Sequence, residues 1–161
     1  MSERILTFDD GSQKVWLDEE KTRCFKWYPN DLNFVDRLLR LQAYTETLLE
    51  KLRGIPGLEK LAFDDEGNPT NTPEGYGEGT LEALSTEFCE QFDFAFGDGV
   101  SKAVFGRTNP LSPVGGGKLV FESFLEAALP LVEESFKGFG ASREKYMKGL
   151  QNRPKRRPGK R

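Results

Sequence analysis

Apolar residues recur three or four positions apart over long stretches of the chain, and this period predicts three main helices. The first helix covers about residues 31–53. Asn30 or Asp31 can accept hydrogen bonds from the unpaired N–H groups of its first turn. Its apolar stripe, which Gln42 and Thr45 interrupt, consists of Val35, Leu38, Leu39, Leu48, Leu49 and Leu52.

The second helix is predicted to begin at Thr80, whose hydroxyl can cap the first turn. Gly97-Asp98-Gly99 should end it, because glycine readily leaves the helical conformation. A short helix is expected to follow over residues 100–105. The second helix has a regular stripe of mostly apolar residues: Leu81, Leu84, Ser85, Phe88, Phe92, Ala95 and Phe96.

The third main helix is predicted to begin near Lys118 and to end at Gly138 and Gly140. Pro130 lies inside it, where the missing N–H group predicts a kink. A final short helix is expected over residues 142–150. One face of the third helix carries Phe121, Phe124, Leu125, Ala128, Val132, Phe136 and Phe139.

Short β-prone runs precede the helices, over residues 4–27. The runs are Ile5–Phe8, Val15–Leu17 and Thr22–Trp27, and Asp9-Asp10-Gly11 is a turn signal between the first two. Two or three antiparallel strands are therefore predicted. Because an isolated hairpin is marginally stable in water, this ribbon must pack on the helices.

Residues 64–79 are almost entirely polar and are predicted to form a mobile loop, preceded by a short helical turn over residues 58–63. Such a loop buries too little apolar surface to offset the entropy lost on ordering. We expect one globular domain over residues 1–152. Its predicted class is α+β, mainly α, with a short N-terminal β-ribbon packed on about three main helices.

Basic residues are concentrated at the end of the sequence. Residues 153–161 carry six basic groups and no acidic group, whereas residues 1–152 carry 17 basic and 26 acidic groups, a net charge of −9. We expect this basic tail to be disordered. No aromatic residue is interleaved to stack on bases, so we do not expect nucleic acid as the main partner. The candidate electrostatic contacts are Arg153, Lys155, Arg156 and Arg157.

The residues that commonly carry catalysis are scarce. Histidine is absent, which removes the most frequent general base and metal ligand near neutral pH. Cys24 and Cys89 belong to no metal-binding spacing and are expected to be free thiols. Gly117-Lys118 lacks the first glycine and the final Ser or Thr of a P-loop. We predict no enzymatic activity, no cofactor and no metal site.

The longest apolar run, residues 127–132, is far shorter than the roughly 20 residues of a membrane-spanning helix. No secretion signal is visible among the first residues. We therefore expect a cytoplasmic protein that does not interact with membranes.

Phenylalanine-rich helical faces are the remaining candidates for function, since 13 of the residues are Phe. Most of these side chains should form the core. Three amphipathic helices can nevertheless leave an apolar groove that binds a partner helix or a second copy of the chain. The candidate protein-binding residues are Phe121, Phe124, Leu125, Phe136 and Phe139.

The order of these features resembles the tail assembly chaperones of long-tailed phages of Gram-positive bacteria. The strongest local similarity is Asp93-x-x-Phe96-Gly-x-Gly-x-Ser-Lys-x-x-Phe-Gly106, and Tyr28–Arg37 at the start of the first long helix adds to it. The resemblance covers most of residues 1–150. The loop at 64–79 and the basic tail depart from the family pattern.

This resemblance implies a helper that coats the long, helical and aggregation-prone tape measure protein while tail tube subunits polymerise around it. The expected partners are the tape measure protein and also the tail tube protein. Two alternatives stay open at this point. One is a phage structural or connector protein, and the other is a nucleic-acid-associated accessory protein that acts through the basic tail.

Overall fold

The computed structural model describes residues 2–53, 61–71, 77 and 79–152. Over these residues there are two strands, five α-helices and a 3-10 turn at Gly115–Gly117. The predicted α+β, mainly helical class is confirmed. The basic tail, with its four candidate contacts, lies outside the described residues. The elements are β1 Gln13–Trp16, β2 Cys24–Trp27, α1 Leu32–Arg53, α2 Thr80–Phe96, α3 Val100–Phe105, α4 Val120–Phe136 and α5 Phe139–Gln151.

The ribbon has two antiparallel strands, β1 and β2, and the register pairs Val15 with Phe25. Phe25 and Trp27 are buried, so one face of the ribbon packs on the helical core. The third predicted strand, over residues 5–8, is absent from the described structure: these residues have no regular secondary structure. The β-prone composition of this run could not show by itself whether another strand would be available to pair with it.

Helix α1 matches its predicted span closely. Asp31 caps it, because its Oδ1 accepts a hydrogen bond from Asn33 N at 3.0 Å. The expected stripe was wrong at Leu39, which is exposed, and it left out Phe34, Leu41 and Thr45, which are buried. The hydroxyl of Thr45 donates to the carbonyl of Gln42 at 2.7 Å and so leaves no unpaired donor in the core.

Helix α2 ends at the Gly97–Gly99 turn, and α3 begins directly after it. Both of these glycines have positive φ, as the glycine pattern predicted. Asp93 fastens the turn, since its Oδ1 accepts a hydrogen bond from Ser101 N at 2.7 Å. The predicted cap at Thr80 was wrong, because the chain enters α2 through Gly79 in the left-handed conformation and Thr80 is already helical.

The helical turn predicted over residues 58–63 is absent from residues 61–63. Residues 61–71 form a tight turn instead. Phe63 and Pro69 make an isolated antiparallel bridge around it. The carboxylate of Asp64 accepts hydrogen bonds from the N–H groups of Glu66 and Asn68, at 3.0 and 2.8 Å. This part of the predicted loop is therefore organised by its own side chain. Residues 58–60 of the expected helical turn, and residues 72–76 and 78 of the loop, lie outside the described residues.

Aromatic side chains of α2 form the centre of the core. Phe88, Phe92 and Phe96 recur every four residues and therefore share one face of α2. Phe88 and Phe92 are fully buried, and Phe96 is nearly so. The ring of Phe96 lies 5.1 Å from that of Phe34 in α1 and 5.8 Å from that of Trp27 in β2. The ribbon and α1 thus meet on the same face of α2.

A substitution in this row of phenylalanines should destabilise the protein strongly. Phe92→Ala should lower the free energy of unfolding by about 3–5 kcal/mol, because it leaves a cavity in a closed core. Phe94→Ala, two residues further along α2, should cost less than about 1 kcal/mol, because Phe94 is half exposed and contacts only Arg37 and Arg40 among the described rings and cations. Urea denaturation of both variants measures the difference, and equal losses would contradict this account of the core.

Candidate functional site

Helix α4 has fully buried residues only as far as its middle. Its first half packs on α2: Phe121 is 2% exposed, and its ring lies 4.8 Å from that of Phe88. Ala128, two turns later, is the last buried residue of the helix. Beyond it, no residue from 129 to 152 is buried. The fully buried residues of α4 therefore lie in its first half, and Val132 in the second half is partly buried against the core.

The five predicted protein-binding residues lie on both sides of Ala128. Phe121 is a core residue, and Phe124 and Leu125 pack against the core. The ring of Phe124 lies within 6.2 Å of four other phenylalanine rings, so most of its surface serves the fold. Phe121 is enclosed and therefore offers no surface to a partner, whereas Phe124 and Leu125 are partly buried and their role in binding stays a prediction.

Phe136 and Phe139, the other two predicted residues, lie on different helices. Helix α4 continues through Pro130 and ends at Phe136, and Gly138 separates it from α5. Gly138 has φ +74, a conformation that favours glycine. The expectation of one helix reaching Gly140 was wrong, since Gly140 lies inside α5. The side chains of Phe136 and Phe139 are 36% and 61% exposed.

We call the exposed apolar residues beyond Ala128 the C-terminal helical surface. The sequence analysis missed four of its members, Leu129 and Leu131 on α4 and Tyr146 and Met147 on α5. The last two could have been found. Their spacing of seven and eight positions from Phe139 could have revealed them, because that spacing places all three on one face of a helix. The surface consists of Leu129, Leu131, Phe136, Phe139, Tyr146 and Met147.

Cations accompany the apolar residues of α5. Arg143 lies 5.7 Å from the Tyr146 ring, close enough to interact with its face. Lys148 forms an exposed ion pair with Glu144, with 3.2 Å between Nζ and Oε1. Such a pair contributes little to stability, and it leaves Arg143 and Lys145 as an excess of positive charge. The α5 part of the surface is therefore apolar and basic.

Two clefts of the described structure are lined by polar side chains. One, of about 640 Å³, lies beside Cys89, Ser101 and Lys102. Burial raises the pKa of the Cys89 thiol, which keeps it protonated and weakly nucleophilic. A second cleft of about 530 Å³ lies between the ribbon and the Gly97–Gly99 turn. Its wall includes Trp27, whose indole N–H is buried and has no hydrogen-bond partner.

Two further properties concern metals and membranes. Over the described ranges, no three His, Cys, Asp or Glu side chains lie close enough together to hold a metal ion. Among the helices that the structure describes, none combines the length and apolar character needed to cross a lipid bilayer.

The chain was compared with protein-family models, curated proteins and solved structures, and none of them matches it.

Residues 1–138 should fold without α5. A chain that stops after Gly138 should keep its free energy of unfolding within about 1 kcal/mol of the full chain, because α5 buries none of its residues. Urea denaturation tests this, and the far-ultraviolet circular dichroism should lose only the signal of one helix. A loss of several kcal/mol would show that α5 stabilises the body.

Proposed function

We propose that this protein is an assembly chaperone of a long-tailed phage, and that its C-terminal helical surface binds the helical tape measure protein. The observation that carries the proposal is the change at Ala128. From there on, two consecutive helices of the described structure carry large apolar side chains that are 36–61% exposed. Contiguous exposed apolar surface is costly in water and commonly marks a binding site for another protein.

The helical form of the surface favours a helical client. Phe139, Tyr146 and Met147 share one face of α5, and Phe136 ends the neighbouring helix. Side chains spaced in this way fit the apolar stripe of an amphipathic helix. A tape measure protein is a long chain of such helices, and before the tail tube surrounds it their apolar stripes are exposed to water and prone to aggregation.

The modest size of the surface supports reversible binding. Stable complexes usually bury about 800 Å² on each partner, and they include a few fully desolvated aromatic anchors. Here the aromatic anchors are only Phe136, Phe139 and Tyr146, and all are accessible in the free protein. Weak contacts repeated along a long client would hold it in solution and still let tail tube subunits replace the chaperone.

A second candidate function is contact with nucleic acid. One observation favours it: residues 143–161 contain nine basic groups and one acidic group. Three of the basic groups, Arg143, Lys145 and Lys148, lie on α5, and Arg143 is 5.7 Å from the ring of Tyr146. Binding of this kind would weaken steeply with salt. A chain lacking residues 153–161 should then lose it, whereas client binding by the apolar surface should survive that truncation.

Co-expression tests the chaperone function directly. Producing this chain together with the tape measure protein of the same phage should raise the soluble yield of the tape measure protein. The double variant Phe136→Ser/Phe139→Ser should abolish that increase, because it removes two anchors of the surface. Neither side chain is buried, so the variant should unfold at the same urea concentration as the parent.

The matched control is Leu32→Ser/Leu39→Ser, which removes two exposed apolar side chains from α1 instead. It should solubilise the client as well as the parent does. An unchanged yield with the parent chain, or an equal loss with both double variants, would refute the proposal. Purified phage particles separate the remaining alternative, since a structural or connector protein is retained in them and a chaperone is not.

A further inference from the structure

The most exposed apolar side chains of the described structure lie at its beginning, in residues 2–10, which we call the leading segment. Ile5, Leu6 and Phe8 are 94%, 85% and 74% exposed. The segment has no regular secondary structure, although its composition is β-prone. Three such side chains within four positions, all in contact with water, indicate a segment whose binding partner is another molecule.

A tight turn holds the leading segment where it joins the ribbon. Gly11 N and Ser12 N donate hydrogen bonds to the carboxylates of Asp9 and Asp10, both at 2.9 Å. Gly11 has φ +76, and a Cβ atom there would lie 2.5 Å from the side chain of Asn30. The turn is therefore packed against the body. Its local hydrogen bonds account for the segment leaving the ribbon instead of folding back along β1.

The ribbon has a free edge next to this turn. Among the described residues β1 pairs only with β2, so the backbone groups on its other edge are available to a further strand. An apolar groove of about 450 Å³ lies beside it, between the ribbon and α4. Its apolar lining includes Val15, Leu17, Val104, Val120, Phe124 and Leu131.

The outer face of the ribbon attracts negative charge. Lys14 and Lys26 are directly opposite each other in the register, and neither strand contains an acidic residue. Tyr28 and Asp10 of the same chain already interact with Lys26 and raise its pKa, so Lys14 is the cation on this face that a further strand would meet. The leading segment carries three acidic residues and one basic residue, Glu3, Arg4, Asp9 and Asp10.

We propose that the leading segment of one copy pairs as a third strand with the free edge of β1 in a second copy. In a strand, Leu6 and Phe8 share one face, and they would enter the groove between the ribbon and α4. Glu3 and Asp9, which alternate with Leu6 and Phe8, would lie on the face that carries Lys14. The exposed segment, the open edge and the apolar groove account for both halves of this contact, and Leu131 belongs both to the groove and to the C-terminal helical surface.

Two variants separate the two halves of the contact. Leu6→Asp/Phe8→Asp spoils the donated strand and leaves the groove intact. Lys14→Glu/Lys26→Glu spoils the accepting ribbon and leaves the leading segment intact. Each should weaken self-association by roughly tenfold or more in sedimentation equilibrium. Because all four side chains are exposed, both variants should keep the circular dichroism spectrum of the parent.

Mixing the variants gives the decisive measurement. Each variant alone should be monomeric at a concentration where the parent associates. An equimolar mixture should form a heterodimer, because it restores one intact segment and one intact ribbon. A parent chain that stays monomeric at every concentration, or a mixture that stays monomeric, would overturn the proposal.

The control for other modes of self-association is Phe136→Ser/Phe139→Ser. This variant should associate like the parent, because it changes only the C-terminal helical surface. If it is monomeric while Leu6→Asp/Phe8→Asp still associates, the copies meet through that surface and strand exchange is refuted.

Discussion

Contact between aromatic rings along one face of α2 is the constraint on which the rest of the structure depends. Phe88, Phe92 and Phe96 lie one helical turn apart, and together they contact every other packed element. The shortest ring-centre distances are 4.5 Å between Phe92 and Phe96 and 4.8 Å between Phe88 and Phe121. Each ring contributes both a large buried area and a preferred geometry, so the helices have few alternative ways to pack.

This constraint also explains where the fold stops. The three rings span two helical turns of α2, so they can cover only about as much of another helix. Helix α4 therefore has buried residues from Phe121 to Ala128 and none beyond. The apolar side chains that follow have no place in the core. The same argument applies to Ile5, Leu6 and Phe8, which precede the ribbon and lie outside the aromatic cluster.

The working surfaces proposed for this protein are thus the parts of an amphipathic chain that a small core leaves uncovered. In the cavity beside Ser101 and Lys102, burial raises the pKa of the Cys89 thiol and holds it in its less reactive form. Apolar surface binds by shape and area, which suits a client with a repeated stripe. The exposed edge of a strand binds another strand through backbone hydrogen bonds, as proposed here for β1 and the leading segment of a second copy.

Much of the fold could be predicted from local patterns. The spans of α1 and α3, the regular stripe of α2 and the mainly helical class all follow from helical periodicity and from glycines near helix ends. These features depend on backbone geometry within a few residues, which neighbouring side chains determine. Hydrophobicity alone misplaced two residues of α1. Thr45 is buried with its hydroxyl bonded to a carbonyl of its own helix, and Leu39 is exposed because no described element covers that side of α1.

The division of one helical stripe into core and surface is the clearest case. By itself, the sequence determined that the apolar residues from Phe121 to Phe136 share a helical face, because their spacing follows the helical period. Only the tertiary structure decided that Phe121 is enclosed and Phe136 is accessible, since this depends on where the phenylalanines of α2 lie in space. Periodicity specifies the direction of a side chain from its own helix, whereas burial requires a second element opposite it.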